Sequence, residues 1–422
     1  MTISRRSFIK STGITLGTVA LAGNVACQEN SEKSVPESVK KLRPMTGDVI
    51  PVTLEKRLAR IEKAKRLMHE NAIDVIFIEP GSSMTYFSDI SWWRSERMLG
   101  LFIFAKGDII YICPKFEENK MRERLKVEGE IHTWEEHESP FKLVSQLFKD
   151  KNLRTGNLGL EETVRFFIAD NLAKANPGIN IVSADPVTIA CRIIKSSTEL
   201  ALMKRANDIT IEAYRAGIKE LSEGMTQHEF AGIVSAAFSA LGVKGGVFTQ
   251  FGEYSAFPHG SSKLQNLKEG DVILMDGGCS VEGYRSDISR TIVFGEANKK
   301  QKEVWNILHR AQDAVLQVAK PGVTCESLDL AARKLITKNG YGPDYKYFSH
   351  RLGHGIGLDG HEWTYLVKGN KTKLAPGMCF SNEPGIYIYG EFGMRLEDCM
   401  YITDDGVALF SQQSPSITAP FA

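Results

Sequence analysis

Five side chains in the second half of the chain have types and spacing that could do chemistry: Asp276, Asp287, His354, Glu383 and Glu397. Asp276 ends the apolar run DVILMD, and Asp287 opens DISRTIVF eleven residues later, after a glycine-containing turn. Glu383 and Glu397 repeat the arrangement in SNEPGIYIYGEFGMRLED, fourteen residues apart. Each carboxylate interrupts a run that reads as a buried strand, where a lone carboxylate would take up a proton rather than stay charged. Four that converge repel one another and need cations. Hard oxygen ligands with one imidazole suit divalent manganese first, and cobalt, zinc and iron are also compatible. Two such ions sharing carboxylates would activate a water between them.

The imidazole is found in RLGHGIGLDGHE (351–362), which holds four glycines. A helix would lose about 1 kcal/mol per glycine relative to alanine, and a strand would lose packing. The texture fits backbone passing close to something held by His354 and His361. A flexible surface loop with incidental histidines is the plainer alternative. With the four acids, His354 becomes the natural nitrogen ligand.

These residues must be positioned by a repeated framework. From Ser197 a helical stretch (199–221) leads to EGMTQHEFAGIVSAAFSALG, and another (299–319) leads to PGVTCESLDLAARKLITKNG. Gly224-Met225-Thr226 matches Gly322-Val323-Thr324, each threonine a plausible N-cap, and Thr226 with Glu229 makes a capping box. LKEGDVILMD (267–276) aligns with LAPGMCFSNE (374–383), a carboxylate falling six residues after a glycine in both. The halves read as two copies of helix–helix–strand–strand about a pseudo-twofold axis.

Upstream, residues 51–190 read as a smaller α/β domain. Leu54, Leu58, Ile61, Ala64 and Met68 recur at helical spacing. DVIFIE (74–79) is a short buried strand, and 101–113 is a hairpin turning at Lys106-Gly107-Asp108. Trp92, Trp93 and Arg94 stand in a loop and suit either local packing or contact with a partner. Residues 28–50 are polar and proline-punctuated, which predicts a linker.

The chain of 422 residues, 42% hydrophobic, can bury a large core, and its net charge of +1 provides no basic footprint for nucleic acid. Seven scattered cysteines without a CxxC exclude a disulfide framework. Residues 1–27 read as a twin-arginine export leader: SRRSFIK, with Arg5 and Arg6, precedes a weakly apolar stretch too short for a membrane span. The mature protein is therefore expected in the periplasm or otherwise outside the cytoplasm. ALA at 20–22 suits a signal peptidase, while NVAC ending at Cys27 could carry a lipid anchor.

YRSDISRT, GHGIGLDGHE, NEPGIY and GMRLED occur in order, and with them residues 196–415 resemble the pita-bread metallopeptidases of the Xaa-Pro dipeptidase and aminopeptidase P branch. Residues 51–190 resemble the creatinase-type N-terminal domain that accompanies them. The resemblance implies an α+β protein in which a pseudo-twofold pita-bread domain follows that smaller domain. It implies Asp276, Asp287, His354, Glu383 and Glu397 as ligands of two divalent metals. It implies His259 and His361 at the scissile carbonyl, His350 in the substrate pocket, Glu383 as proton relay, and Arg395 orienting carboxylates or substrate. The implied reaction is hydrolysis of the bond preceding proline in dipeptides or at peptide N-termini. A homodimer or larger homo-oligomer is implied too. A metal-dependent hydrolase or lyase of a small non-peptide molecule, and a noncatalytic binding protein, are the competing readings. No GxSxG, HExxH or P-loop pattern offers another chemistry.

Overall fold

The computed structural model describes residues 35–421. The twin-arginine segment and Cys27 lie outside the described residues. From Pro36 onward the chain forms one compact unit.

The expected linker is ordered over residues 36–50. A short helix, α1 (Glu37–Lys40), buries Val39, and Met45 N–H donates to Leu241 O at 3.0 Å. Arg205 binds Met45 O at 2.6 Å and Asp48 at 2.7 Å. The polar composition hid a few apolar anchors spaced along the stretch.

Helix α2 (Leu54–Glu70) is capped by Thr53 and buries Ile61, Ala64 and Met68 as their spacing predicts. Leu54 and Leu58 are exposed instead. The inward face is completed by Arg57 and Arg60, whose guanidinium groups donate to Thr85 O (2.7 Å) and Tyr86 O (2.8 Å). These carbonyls belong to helix α3 (Ser82–Ser88), whose C-terminal half thereby gains cationic donors.

The six-stranded sheet of this region runs β4-β3-β2-β1-β5-β6. Its strands are β1 (Val75–Ile78), β2 (Gly100–Phe104), β3 (Ile110–Pro114), β4 (Glu130–Trp134), β5 (Gly156–Leu160) and β6 (Ile179–Ser183). The hairpin β2–β3 is antiparallel, and Gly107 takes φ 103° in its turn. Helices α4 (Glu118–Arg124), α5 (Pro140–Asp150), α6 (Phe166–Ala175) and α7 (Asp185–Arg192) complete the layer.

The two expected repeats follow. The first holds α8 (Ser197–Ile218), α9 (Gln227–Ala240), β7 (Gly245–Phe251), β8 (Val272–Val281), β9 (Tyr284–Arg285) and β10 (Ile288–Val293). The second holds α10 (Lys299–Val318), α11 (Cys325–Lys338), β11 (Gly353–Gly355), β12 (Glu362–Leu366), β13 (Cys379–Asn382), β14 (Gly385–Ile388), β15 (Phe392–Arg395), β16 (Asp398–Ile402) and β17 (Val407–Leu409). Each half therefore has more strands than the sequence reading assigned. One sheet runs β10-β8-β7, another β12-β11-β13-β16-β17, and β14–β15 is a separate hairpin.

Matching backbone bonds show the repeat directly. Gly224 N–H donates to Leu267 O at 2.7 Å, and Gly322 N–H to Leu374 O at 2.8 Å. Gly270 N–H reaches Phe294 O at 2.8 Å, and Gly377 N–H reaches Ile402 O at 2.9 Å. Both Gly270 and Gly377 take φ 85°, the left-handed region glycine enters at little cost. The capping box of Thr226 and Glu229 is formed. Thr324 holds the matching N-cap position, but its hydroxyl pairs with Ser327 Oγ instead.

The halves are fastened through β10. Arg290, fully buried, binds Asp398 at 2.7 Å and Glu397 O at 2.8 Å. Thr291 Oγ1 donates to Arg395 O at 2.7 Å. A charge this deep is tolerable only when paired and hydrogen-bonded, so the pair holds β10 and β16 in one register.

Candidate metal centre

Asp276 lies in β8, Asp287 just before β10, His354 in β11, Glu383 just after β13, and Glu397 between β15 and β16. The sheets of both halves thus deliver all five to one place. Three groups there offer one ligand atom per residue within 4.8 Å of each other: Asp276 with Asp287 and Glu397, His354 with Glu383 and Glu397, and Asp287 with His354 and His361.

Fixed hydrogen bonds orient the donors. Ser289 Oγ lies 2.9 Å from Asp276 Oδ1 and 2.7 Å from Glu397 Oε2. Arg395 Nη2 lies 2.6 Å from Asp276 Oδ2, and its Nε donates to Ser289 Oγ at 2.8 Å. Ser381 Oγ donates to Glu383 Oε1 at 3.1 Å and accepts from His354 N–H at 3.0 Å. His354 Nδ1 lies 3.0 Å from Gly355 O, so Nε2 is the nitrogen turned to Glu383 (3.3 Å) and Asp287 (3.8 Å). Backbone contact at one ring nitrogen leaves the other for a metal.

Electrostatics in the centre are those of crowded anions. Burial pushes the Glu383 carboxyl up to about 7, with Arg395 pulling it down and Asp276 raising it. Burial, then neighbouring carboxylates, drives Asp287 and Glu397 well above the usual range. Burial lowers His354 to about 4, with the His361 ring a second cause. Burial would neutralise Arg395, but Asp276, Tyr387, Glu383 and Glu397 hold it charged. One guanidinium cannot balance four carboxylates. Hard oxygens, one imidazole nitrogen and excess negative charge fit divalent cations.

The remaining predicted residues surround this core. His361 stacks on His354 with ring centroids 3.8 Å apart. His350 Nε2 lies 2.8 Å from Tyr387 OH, which accepts from Arg395 Nη1 at 3.1 Å. Burial lowers His350 to about 3, and Arg395 lowers it further. His259 is exposed in the loop after the 3-10 turn Gly252–Ala256, near enough for its charge to bear on His350 and His361. Arg395 Nη1 also reaches Pro258 O at 3.2 Å, which ties that loop to the centre.

Sequence reading passed over Ser289 and Tyr387. The signals were faint: Ser289 is two positions past Asp287 on the same strand face, and Tyr387 closes the NEPGIY stretch.

The glycines of 351–362 have two local causes. A Cβ on Gly353 would lie 2.1 Å from Ser381 O, so only glycine lets β11 lie against β13 there. A Cβ on Gly357 would lie 2.8 Å from both Glu362 Oε2 and Lys195 Cε. Glu362 latches the loop: its Oε1 accepts from Leu358 N–H (2.9 Å) and Arg192 (2.5 Å), its Oε2 from Lys195 (2.8 Å). Although burial alone would raise it, Lys195 and Arg192 hold Glu362 down to about 2. The stretch is a braced loop and strand rather than a flexible surface loop.

Residues 201–404 match metallopeptidase family M24, and residues 60–194 match the creatinase/prolidase N-terminal domain. An Xaa-Pro dipeptidase of Pyrococcus furiosus is 34% identical over 82% of this chain and 96% of its own length. The crystal structure of a prolidase from Thermococcus sibiricus superposes with a TM-score of 0.78 at 29% identity, covering 84% of this chain and 96% of that one. That of an X-Pro aminopeptidase from Thermotoga maritima gives 0.72 at 27% identity, covering 84% and 99%.

Metal and pH should act together on stability. Glu383, Asp287 and Glu397 have folded-state values above their unfolded ones, so their contribution is full at low pH and is lost as pH rises through the folded values. His350, His354 and His361 are lowered from 6.5 and oppose this trend only below that value. Between pH 6.5 and 8 the carboxylates therefore decide the sign. Metal-free protein should lose about 1.4 kcal/mol per pH unit for each excess proton bound by the folded state. Thermal melts of the chelated protein should show a falling Tm across this window, and added manganese should restore most at the alkaline end. A chelated protein that grows more stable from pH 6.5 to 8 would contradict the charge balance described.

Proposed function

The chain belongs to metallopeptidase family M24, with a creatinase/prolidase N-terminal domain, and from that premise we propose that it hydrolyses the bond preceding proline, in Xaa-Pro dipeptides or at the N-terminus of longer peptides. The observation that carries this reading is the convergence of Asp276, Asp287, His354, Glu383 and Glu397 from both halves on one point. The similarity to proteins named Xaa-Pro dipeptidase supports the substrate class.

Asp276, Asp287, His354, Glu383 and Glu397 would hold two divalent ions, manganese first. When bound, such ions polarise a carbonyl and make water nucleophilic near neutral pH. The chain's own residues have distinct tasks around that chemistry. Glu383, steadied by Ser381, receives a proton from the attacking water and returns it to the leaving imide nitrogen. His361 is held below its ordinary value, first by burial and then by Arg351, so it is neutral at pH 7 and can donate one N–H to the developing oxyanion. His259 donates from the opposite loop. His350, Tyr387 and Arg395 form one hydrogen-bonded wall that orients the substrate and Asp276. Proline has no amide N–H, so a pocket that asks for none accepts its ring without leaving a polar group unpaired.

Asp287→Asn or Glu383→Gln should abolish turnover of Ala-Pro and Ala-Pro-Ala while the circular dichroism spectrum stays native. Near wild-type rates from either variant in metal-defined buffer would rule out the mechanism.

The protein is further proposed to work as a homodimer or larger symmetric assembly, with the Trp92–Arg97 segment near a neighbouring subunit's site. Its support is an aromatic surface: Trp93 is 64% exposed, and Lys120 lies 4.4 Å over the rings of both Trp92 and Trp93. Light scattering at micromolar concentration should give at least twice the chain mass; a fully active monomer would contradict it.

The mature enzyme is proposed to lie outside the cytoplasm, exported folded with its metals, because site assembly couples to folding. Replacing Arg5 and Arg6 by lysine should retain active enzyme inside the cell. Export of the double variant at the wild-type rate would overturn the twin-arginine reading, and mass spectrometry of the mature N-terminus tests a lipid on Cys27.

A further inference from the structure

Helix α11 carries a charged pair that its counterpart in the first half lacks. With Thr226 set against Thr324, the 14-residue helices α9 and α11 match position for position. Asp329 and Arg333 of α11 then fall opposite Ala231 and Ser235 of α9. The helix–strand frame of the first half closes with no charge at these positions. In the second half both residues are buried, Asp329 completely and Arg333 to 7% exposure. A buried ion pair adds little stability over apolar side chains filling the same space. Its use lies in what it holds.

It holds the stretch 341–352, which forms no helix or strand between α11 and β11. Arg333 Nε donates to Asp329 at 2.8 Å, and Nη1 donates to Phe348 O at 2.8 Å and Asp344 O at 3.3 Å. Nη2 donates to His350 O. Asp329 Oδ1 accepts from Leu352 N–H at 3.1 Å. The guanidinium also lies over the rings of Tyr345 (4.0 Å) and Phe348 (4.3 Å). Two side chains of one helix thus fix backbone groups at 344, 348, 350 and 352.

His350 connects that segment to the site. Its carbonyl is held by Arg333, and its ring meets the Phe348 ring edge-on at 5.0 Å. Nδ1 lies 2.8 Å from Arg351 O, which can only accept, so the neutral ring carries its proton there. Nε2 is left to accept from Tyr387 O–H, 2.8 Å away, and Tyr387 accepts in turn from Arg395. The place of this chain of bonds therefore depends on where the His350 backbone is pinned.

We propose that Asp329 and Arg333 are positioning residues for the substrate pocket, setting His350 and, through it, Tyr387 and Arg395. The proposal rests on the proposed peptidase activity and adds a control seated on a helix outside the metal centre. Neither residue belongs to the ligand set or to the wall that receives the peptide.

The test uses manganese-loaded full-length enzyme with Ala-Pro as substrate. Arg333→Lys keeps a charge beside Asp329 and removes the fork that reaches three carbonyls. It should raise KM at least about tenfold and leave kcat within about threefold, because a displaced wall receives the peptide poorly. In a His350→Phe background the same change should cost less than about twofold in kcat/KM, since the residue it acts through is gone. Calorimetric manganese binding should match that of the wild type. A loss of equal size in both backgrounds, an unchanged KM, or a loss that follows manganese binding would each overturn the proposal. Should Arg333→Lys fail to fold, Asp329→Asn, which keeps an acceptor for Leu352 N–H, is measured by the same criteria. Hydrogen exchange separates the proposal from the activity it rests on. Arg333→Lys should speed amide exchange in 344–352 and spare β8 and β10. If no proline peptide is cleaved, the peptidase reading fails, and faster exchange confined to 344–352 still supports the clamp while unchanged exchange there removes it.

Discussion

Mutual repulsion among Asp276, Asp287, Glu383 and Glu397 is the constraint on which the rest of the structure depends. Four carboxylates held so close in a buried place would, if left alone, take up protons or drive the strands apart. The chain answers with one buried guanidinium, Arg395, and with the Ser289 hydroxyl between Asp276 and Glu397. These hold geometry without cancelling the charge. The remaining imbalance is what makes the centre a place for cations rather than a structural ion-pair network.

Holding like charges together demands a rigid frame, and the repeat provides one. Both halves close their helix pair onto the segment leading into a strand with the same backbone bonds, at Gly224 and Gly322, and both turn at glycines with φ 85°. Arg290, Thr291 and the backbone of Glu397 then lock β10 of one half to β16 of the other. Packed sheets of this kind keep side chains to within fractions of an ångström, which loops alone would not.

The loop from His354 to His361 is rigid for a different reason. Ile356 and Leu358 are buried in the core, and glycine is required where β11 meets the Ser381 carbonyl. Charge adds to that anchoring: Arg192 and Lys195, contributed by the junction between the two regions, hold Glu362, and Glu362 holds the loop backbone.

Much of this was legible in the sequence, because burial and periodicity leave a local signature. Carboxylates that interrupt apolar runs, a glycine-rich stretch around two histidines, and a helix–helix–strand pattern occurring twice all follow from residue types and spacing. They determined the ligand candidates, the repeat and the hairpin at Gly107. Tertiary structure alone decided where α2 faces: Leu54 and Leu58 fit the helical spacing yet point to solvent, because Arg57 and Arg60 have carbonyls of α3 to bind. It alone ordered residues 36–50 against α9 and Arg205, and it alone assigned Ser289 and Tyr387 to the centre. These depend on partners tens to hundreds of positions away, and a hydrogen bond between distant residues leaves no period in either segment.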